Sequence, residues 1–168
     1  MKAALFDLDG TLANISLVSK FSKHHYLKVA CAKAFGFLPR SLKPMAFSVI
    51  DLLEHAPTRK ALFNRVLLKK IILMKKKGVK VGIVSSNTRH TVLACLHKAG
   101  FKKDFFDVII CINDVDFLKP DPDPLQKALK KLSVLPKDAV YYGDHWVDAE
   151  AAKAIGMKFV KVSSVKWA

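Results

Sequence analysis

At 168 residues, with 51% of them hydrophobic and no low-complexity tract, the chain has enough apolar material for one folded domain with a real core and does not read as disordered. Its longest run free of Asp, Glu, Lys and Arg extends from Gly10 to Ser19, far too short to cross a bilayer. The net charge of +15 is concentrated: between Ala13 and Lys77 lie 11 Lys and 3 Arg against Asp51 and Glu54, whereas the remainder carries 15 basic and 12 acidic residues.

Asp7 and Asp9 interrupt any signal-peptide core, and three cysteines without a paired metal spacing fit a reducing compartment, so a cytoplasmic location is expected. Cys95 and Cys111 lie within apolar patterns and read as core residues.

In chain order, Ala3-Ala4-Leu5-Phe6 predicts a buried parallel strand that ends in Asp7-Leu8-Asp9-Gly10-Thr11. Alternation puts Asp7 and Asp9 on the same side, where two like charges repel unless a divalent cation lies between them; oxygen-only ligands suit magnesium. The plainer alternative is a strand ending in an Asp-Gly turn. From Ile15 to Phe37 the pattern is helical, followed by a loop bracketed by Pro39 and Pro44. A short helix is expected from Met45 to Ala56, stopped by Pro57, and a longer one from about Thr58 to Lys77 with Gly78 as its C-terminal cap.

From Val79 strands and helices alternate. Strands are expected at Val79 to Val84, within Phe105 to Ile112, at Ala139 to Tyr142 and at Lys158 to Val162. The helices between them are expected at Thr88 to Ala99, Pro124 to Leu132 and Val147 to Ile155. This alternation predicts an α/β fold, a Rossmann-like parallel sheet with helices on both faces, in which ligands bind beyond the carboxyl ends of the strands. Asp7, Asp9, Ser85 and Asp144 fall at such ends, Asp148 follows one helical turn later, and Lys119 precedes the rigid Pro120-Asp121-Pro122-Asp123-Pro124 segment. Carboxylates for a metal, a carboxylate free to attack, a hydroxyl and an amine are together what phosphoryl transfer requires.

Four segments in this order resemble the haloacid dehalogenase-like hydrolase superfamily: Asp7-Leu8-Asp9-Gly10-Thr11, Val81-Gly82-Ile83-Val84-Ser85, Lys119-Pro120 and Gly143-Asp144-His145-Trp146-Val147-Asp148; the Lys119-Pro120-Asp121-Pro122-Asp123-Pro124 and Ser85-Ser86-Asn87-Thr88-Arg89-His90 stretches look most like its phosphoglycolate-phosphatase-like branch. The resemblance implies a magnesium-dependent phosphatase acting on a phosphorylated small molecule. Asp7 is then the nucleophile and Asp9 the acid and base. Ser85 and Lys119 bind phosphate, with Ser86 as the alternative hydroxyl. Asp7, the backbone carbonyl of Asp9 and Asp144 hold magnesium, with Asp148 as a ligand or just behind one. A phosphomutase or phosphotransferase would use the same residues.

The domain division expected is a catalytic core of residues 1–11 and 78–168, with residues 12–77 forming a small basic helical cap and the helix that returns to the sheet. That cap is smaller than the helical bundle usual at this place in the family, which leaves substrate identity open. Lys20, Lys23, Lys28 and Lys33 either steer a phosphorylated substrate or form a solvated helix face. A binding module for nucleic acid or anionic lipid is the reading from a different class; the preponderance of Lys over Arg and the lack of a recognised motif disfavour nucleic acid. His24-His25 near Cys31 has poor zinc spacing and reads as a helix-surface pair, whereas His145 and Trp146 either line the site entrance or pack their loop. The acids at Asp104, Asp107, Asp114, Asp116, Asp121 and Asp123 read mostly as loop and helix-capping residues.

Overall fold

The computed structural model describes residues 1–15, 34–102, 104–162 and 167. Five short segments, mostly apolar except the edge strand β7, form one all-parallel sheet: β1 (Ala3–Phe6), β4 (Lys80–Val84), β5 (Val108–Ile110), β6 (Ala139–Gly143) and β7 (Lys158–Lys161), in the order β5-β4-β1-β6-β7. All of β1 is buried because it lies at the centre, flanked by β4 and β6.

Alternation along the strands divides the core in two. Ala4, Phe6, Val81, Ile83, Val140 and Tyr142 face one layer with Leu67, Leu68 and Ile71 of α2 (Arg65–Lys76) and Val92, Cys95 and Leu96 of α3 (Arg89–Lys98). Ala3, Leu5, Ile110 and Tyr141 face the other, with Leu125, Ala128 and Leu129 of α4 (Asp123–Leu132) and Ala151 and Ala152 of α5 (Trp146–Ala154). Helices therefore cover both faces, as the strand-helix alternation requires. Phe6 and Tyr142, paired in register on adjacent strands, stack with ring centroids 4.9 Å apart. Cys95 and Cys111 are both buried.

After β1 the chain crosses to β4 on one side, and after β6 it continues to β7 on the other. The strand order thus reverses between β1 and β6, which opens a crevice at their carboxyl ends.

In the segment between β1 and β4 one expected element lies mostly outside the described residues and two others depart from expectation. The helix expected from Ile15 to Phe37 falls mostly outside the described residues, of which 34–37 are helical. The His24-His25 pair and Cys31 also lie outside them. Next, α1 (Lys43–Arg59) is not stopped by Pro57 but runs two residues further; proline costs a helix one hydrogen bond without always ending it. Last, the expected helix from Thr58 begins only at Arg65. Leu62–Phe63 instead forms a strand, β3, antiparallel to β2 (Ala13–Asn14), with Ala13 opposite Phe63 and Asn14 opposite Leu62. Asn64 sets the boundary: its Oδ1 accepts the Leu67 N–H at 3.0 Å as an N-cap, and its Nδ2 donates to the Thr11 carbonyl at 3.2 Å.

At its other end α2 closes as foreseen. Gly78 takes φ 76, its N–H donates to Lys75 O at 3.0 Å and the Val79 N–H to Met74 O at 3.1 Å, the double closure that glycine permits. Among the described residues no helix is long and apolar enough to cross a membrane.

Candidate active site

The carboxyl ends of β1 and β6 meet at the crevice. The Asp7 N–H donates to Tyr142 O at 2.8 Å, which extends the β1–β6 ladder by one step and fixes the backbone of Asp7. Asp144 follows Gly143 at the end of β6, and Asp148 lies in the first turn of α5. One carboxylate oxygen from each of Asp7, Asp144 and Asp148 lies within 4.8 Å of the others.

Lys119 enters from the loop between β5 and α4 and is only 5% exposed. Its Nζ donates to Asp7 Oδ1 at 2.7 Å, Asp148 Oδ1 at 2.6 Å and the Tyr141 hydroxyl at 2.8 Å. The Tyr141 hydroxyl is also 3.0 Å from Asp148 Oδ1, and Asp148 Oδ2 accepts the His145 N–H at 3.1 Å. Asp148 is thus held on both oxygens by the protein. Asp144 accepts one bond from the Thr11 hydroxyl at 3.2 Å.

Gly10 is required here for two reasons. Its φ is 81, and a Cβ would lie 2.6 Å from Asp144 Cγ, so any side chain would displace the carboxylate.

Three carboxylates around one ammonium leave two negative charges uncompensated, and the protonation equilibria reflect it. Burial, with Asp148 and Asp144 adding to it, pushes the Asp7 carboxyl up to about 8 against the opposing pull of Lys119. Burial and the Asp148 charge also raise Asp144. For Lys119 burial alone would favour the neutral amine, but Asp148 and Asp7 outweigh it and hold the ammonium charged. A divalent cation has the charge this cluster lacks, and carboxylate oxygens are the ligands a hard cation takes.

The remaining expected residues lie nearby in sequence order but are arranged differently. Asp9 Oδ1 accepts the Ile15 N–H at 2.9 Å, and its carboxylate is not part of the three-carboxylate cluster. Ser85, just past β4, is 4% exposed; its hydroxyl donates to Asn87 Oδ1 at 2.8 Å and accepts the Asn87 N–H at 3.2 Å. Ser86 is exposed.

A model of the haloacid dehalogenase-like hydrolases matches residues 63–162. The pyrophosphatase PpaX of Bacillus mycoides is 34% identical over 182 aligned positions, which span 97% of this chain and 84% of that protein. The chain belongs to the haloacid dehalogenase-like hydrolases. PpaX of Bacillus anthracis is similar at 35% identity, over 97% of this chain and 83% of its own. Among solved structures, a haloacid dehalogenase-like hydrolase from Bacteroides fragilis superposes with a TM-score of 0.74 at 28% identity, covering 98% of this chain and 88% of the other. A phosphatase of the same family from Thermococcus onnurineus gives 0.69 at 26%, covering 97% and 86%.

This haloacid dehalogenase-like chain is an enzyme of the phosphate-ester hydrolase class. The family generally uses magnesium, and the acidic cluster is of the kind that holds it. Three participants were missed in the sequence. Tyr141 reads as one more apolar strand residue, although a buried tyrosine needs a partner for its hydroxyl. Thr11 and Asn87 carry no signal beyond their closeness to Asp9 and Ser85.

Proposed function

We propose that the protein is a magnesium-dependent phosphatase that works through an aspartyl-phosphate on Asp7. The observation that carries this reading is the ammonium of Lys119 at 2.7 Å from Asp7 Oδ1, inside the carboxylate cluster at the β1–β6 switch point.

A carboxylate oxygen of Asp7 attacks phosphorus, the bond from phosphorus to the leaving oxygen breaks, and Asp9 gives that oxygen its proton. Water then attacks the same phosphorus as Asp9 takes a proton back; the phosphorus–Asp7 bond breaks and inorganic phosphate leaves. Lys119 and the Ser85 hydroxyl, the latter once it turns from Asn87, neutralise and hold the phosphoryl oxygens. Ser86 is the second choice, being exposed beside Ser85.

Magnesium would be held by Asp7, Asp144 and the backbone carbonyl of Asp9, and it would offset the phosphoryl charge. Asp148, engaged by Lys119, Tyr141 and the His145 N–H, belongs behind these ligands and orients them.

In the same reading residues 1–11 and 78–168 are the catalytic core, and residues 12–77 a small basic helical cap together with α2, the helix that returns to the sheet. The cap's excess of Lys and Arg favours a compact, highly charged phosphate compound. The name of the Bacillus relatives adds inorganic pyrophosphate to the sugar phosphates and phosphoglycolate as first candidates.

The test is phosphate release from that panel, with and without magnesium, using Asp7→Asn as control. Turnover that requires both magnesium and Asp7 is expected. Wild-type rates in Asp7→Asn would refute the mechanism.

A further inference from the structure

The loop that delivers Lys119 to the site is gripped from outside by residues 34–43, which lead into α1 and include its first residue. Gly36 lies against Phe117; a Cβ on it would come within 2.6 Å of the ring. Lys43 is only 8% exposed, and its ammonium lies 4.5 Å above the centre of the Phe35 ring, 3.4 Å from the Asp116 carbonyl and 3.5 Å from Asp116 Oδ1.

Lys43 is an expensive choice for this place. It opens α1, whose first turn has no acidic residue, so its charge opposes the helix dipole, and burying an ammonium carries a further desolvation cost. Asp116 and Phe35 offset these costs. Arg40 adds an exposed contact to Asp116 at 3.4 Å.

The other side of Asp116 is tied to the core. Its N–H donates to Asp123 Oδ2 at 3.1 Å, and Lys127 of α4 reaches its carboxylate at 3.8 Å. Three residues on from this junction is Lys119, whose ammonium reaches Asp7. Seating of the 34–43 segment and placement of Lys119 therefore share one loop.

We infer that Lys43 and Asp116 are positioning residues for Lys119, through which the 34–43 segment sets whether the ammonium is delivered between Asp7 and Asp148. The catalytic part of this inference rests on the role proposed above for Lys119; the coupling itself does not.

The test reads the two parts separately. Lys43→Met keeps the stem and removes the charge, and the partner it leaves, Asp116, is partly exposed and still within reach of Arg40 and Lys127, so the variant is expected to fold; Lys43→Arg restores the cation. Acylation of Lys119 by acetic anhydride, followed by mass spectrometry, reports whether its amine stays sealed, with no turnover needed. In Lys43→Met and in Asp116→Asn the Lys119 rate is expected to rise about tenfold, and in Lys43→Arg to stay near wild type. Hydrolysis of p-nitrophenyl phosphate in Lys43→Met is expected to lose about tenfold in kcat, with recovery in Lys43→Arg. An unchanged Lys119 rate in both Lys43→Met and Asp116→Asn overturns the coupling. A raised rate with wild-type kcat overturns its catalytic consequence. A wild-type protein that hydrolyses no phosphate compound refutes the proposed function, while the acylation rates still decide the coupling.

Discussion

Replacing Asp7 by Asn is expected to end turnover in magnesium and, in the presence of a chelator, to make the protein more stable than the wild type. Asp7 is 7% exposed, and its carboxyl titrates at about 8 in the folded chain against an ordinary 3.8. A folded value above the unfolded one means that ionisation is easier in the unfolded chain. The group's contribution to stability is therefore intact below about pH 4, erodes as pH rises, and is fully lost above about pH 8. At pH 7.5 the difference has a ceiling of about 5 kcal/mol. Asn keeps an oxygen for Lys119 but forfeits the attraction between the two charges, so a gain of about 2 kcal/mol is expected. For a domain of this size that raises the thermal midpoint by about 4–8 °C. Circular-dichroism melts of both proteins in EDTA, at pH 7.5 and pH 5, measure it, and the gain should shrink to about a third at the lower pH. A lower midpoint for Asp7→Asn at pH 7.5, or an equal gain at both pH values, would refute the reasoning. Saturating magnesium should then stabilise the wild type more than the variant, because the ion binds only the folded chain and loses one ligand in the variant.

Lys119→Met should cost about 3–5 kcal/mol in urea unfolding, since it leaves Asp7 and Asp148 buried without their cation, and should abolish phosphate release. Tyr141→Phe removes the hydroxyl that Lys119 and Asp148 share; a loss of about 1–2 kcal/mol with an unchanged far-ultraviolet spectrum is expected, and no loss would show that the hydroxyl bond is idle. Asp107→Ala takes away the acceptor of the Val81 N–H at 2.7 Å and of Lys75 at 2.7 Å, and should lower stability by about 1–2 kcal/mol at pH 7. The Asp107 carboxyl titrates below the ordinary value despite desolvation, through Lys75 and the Val81 N–H. Its stabilising effect is therefore present above about pH 4 and fades as pH falls through the lowered folded value, so wild type and Asp107→Ala should converge in strong acid. Gly10→Ala should reduce kcat by about tenfold or more by displacing the Asp144 carboxylate, with steady-state kinetics as the measure.

The sheet was legible because its inner strands are short apolar runs closed by a polar residue with a reason to be there, such as Asp7 after Phe6 and Asp144 after Gly143. The approach of Asp7 to Asp144 followed from the same reading, since strand ends on one edge of a parallel sheet converge, and Asp148 joins them from the first turn of α5. Local pattern failed at Leu62-Phe63. Two apolar residues ahead of a helical stripe continue its period, and only Ala13-Asn14, nearly fifty residues earlier, makes them a strand. Asn64 was the visible hint, a capping residue three positions before Leu67. Lys43 and Asp116 were illegible for a related reason. Each reads as a surface charge, and their meeting depends on how α1 approaches α3 and α4, which no local period encodes.

The central place of β1 has a consequence for how the molecule comes to exist. Its partners are Lys80–Val84 on one side and Ala139–Gly143 on the other. During synthesis at about 5–20 residues per second, β1 has no neighbour on its second edge until β6 emerges, on the order of ten seconds later. For that interval a fully apolar strand must be kept from other chains, and pairings this distant in sequence close slowly. Asp7 and Asp144 therefore cannot meet until β6 has been made, so a nascent chain cannot assemble its carboxylate cluster before then.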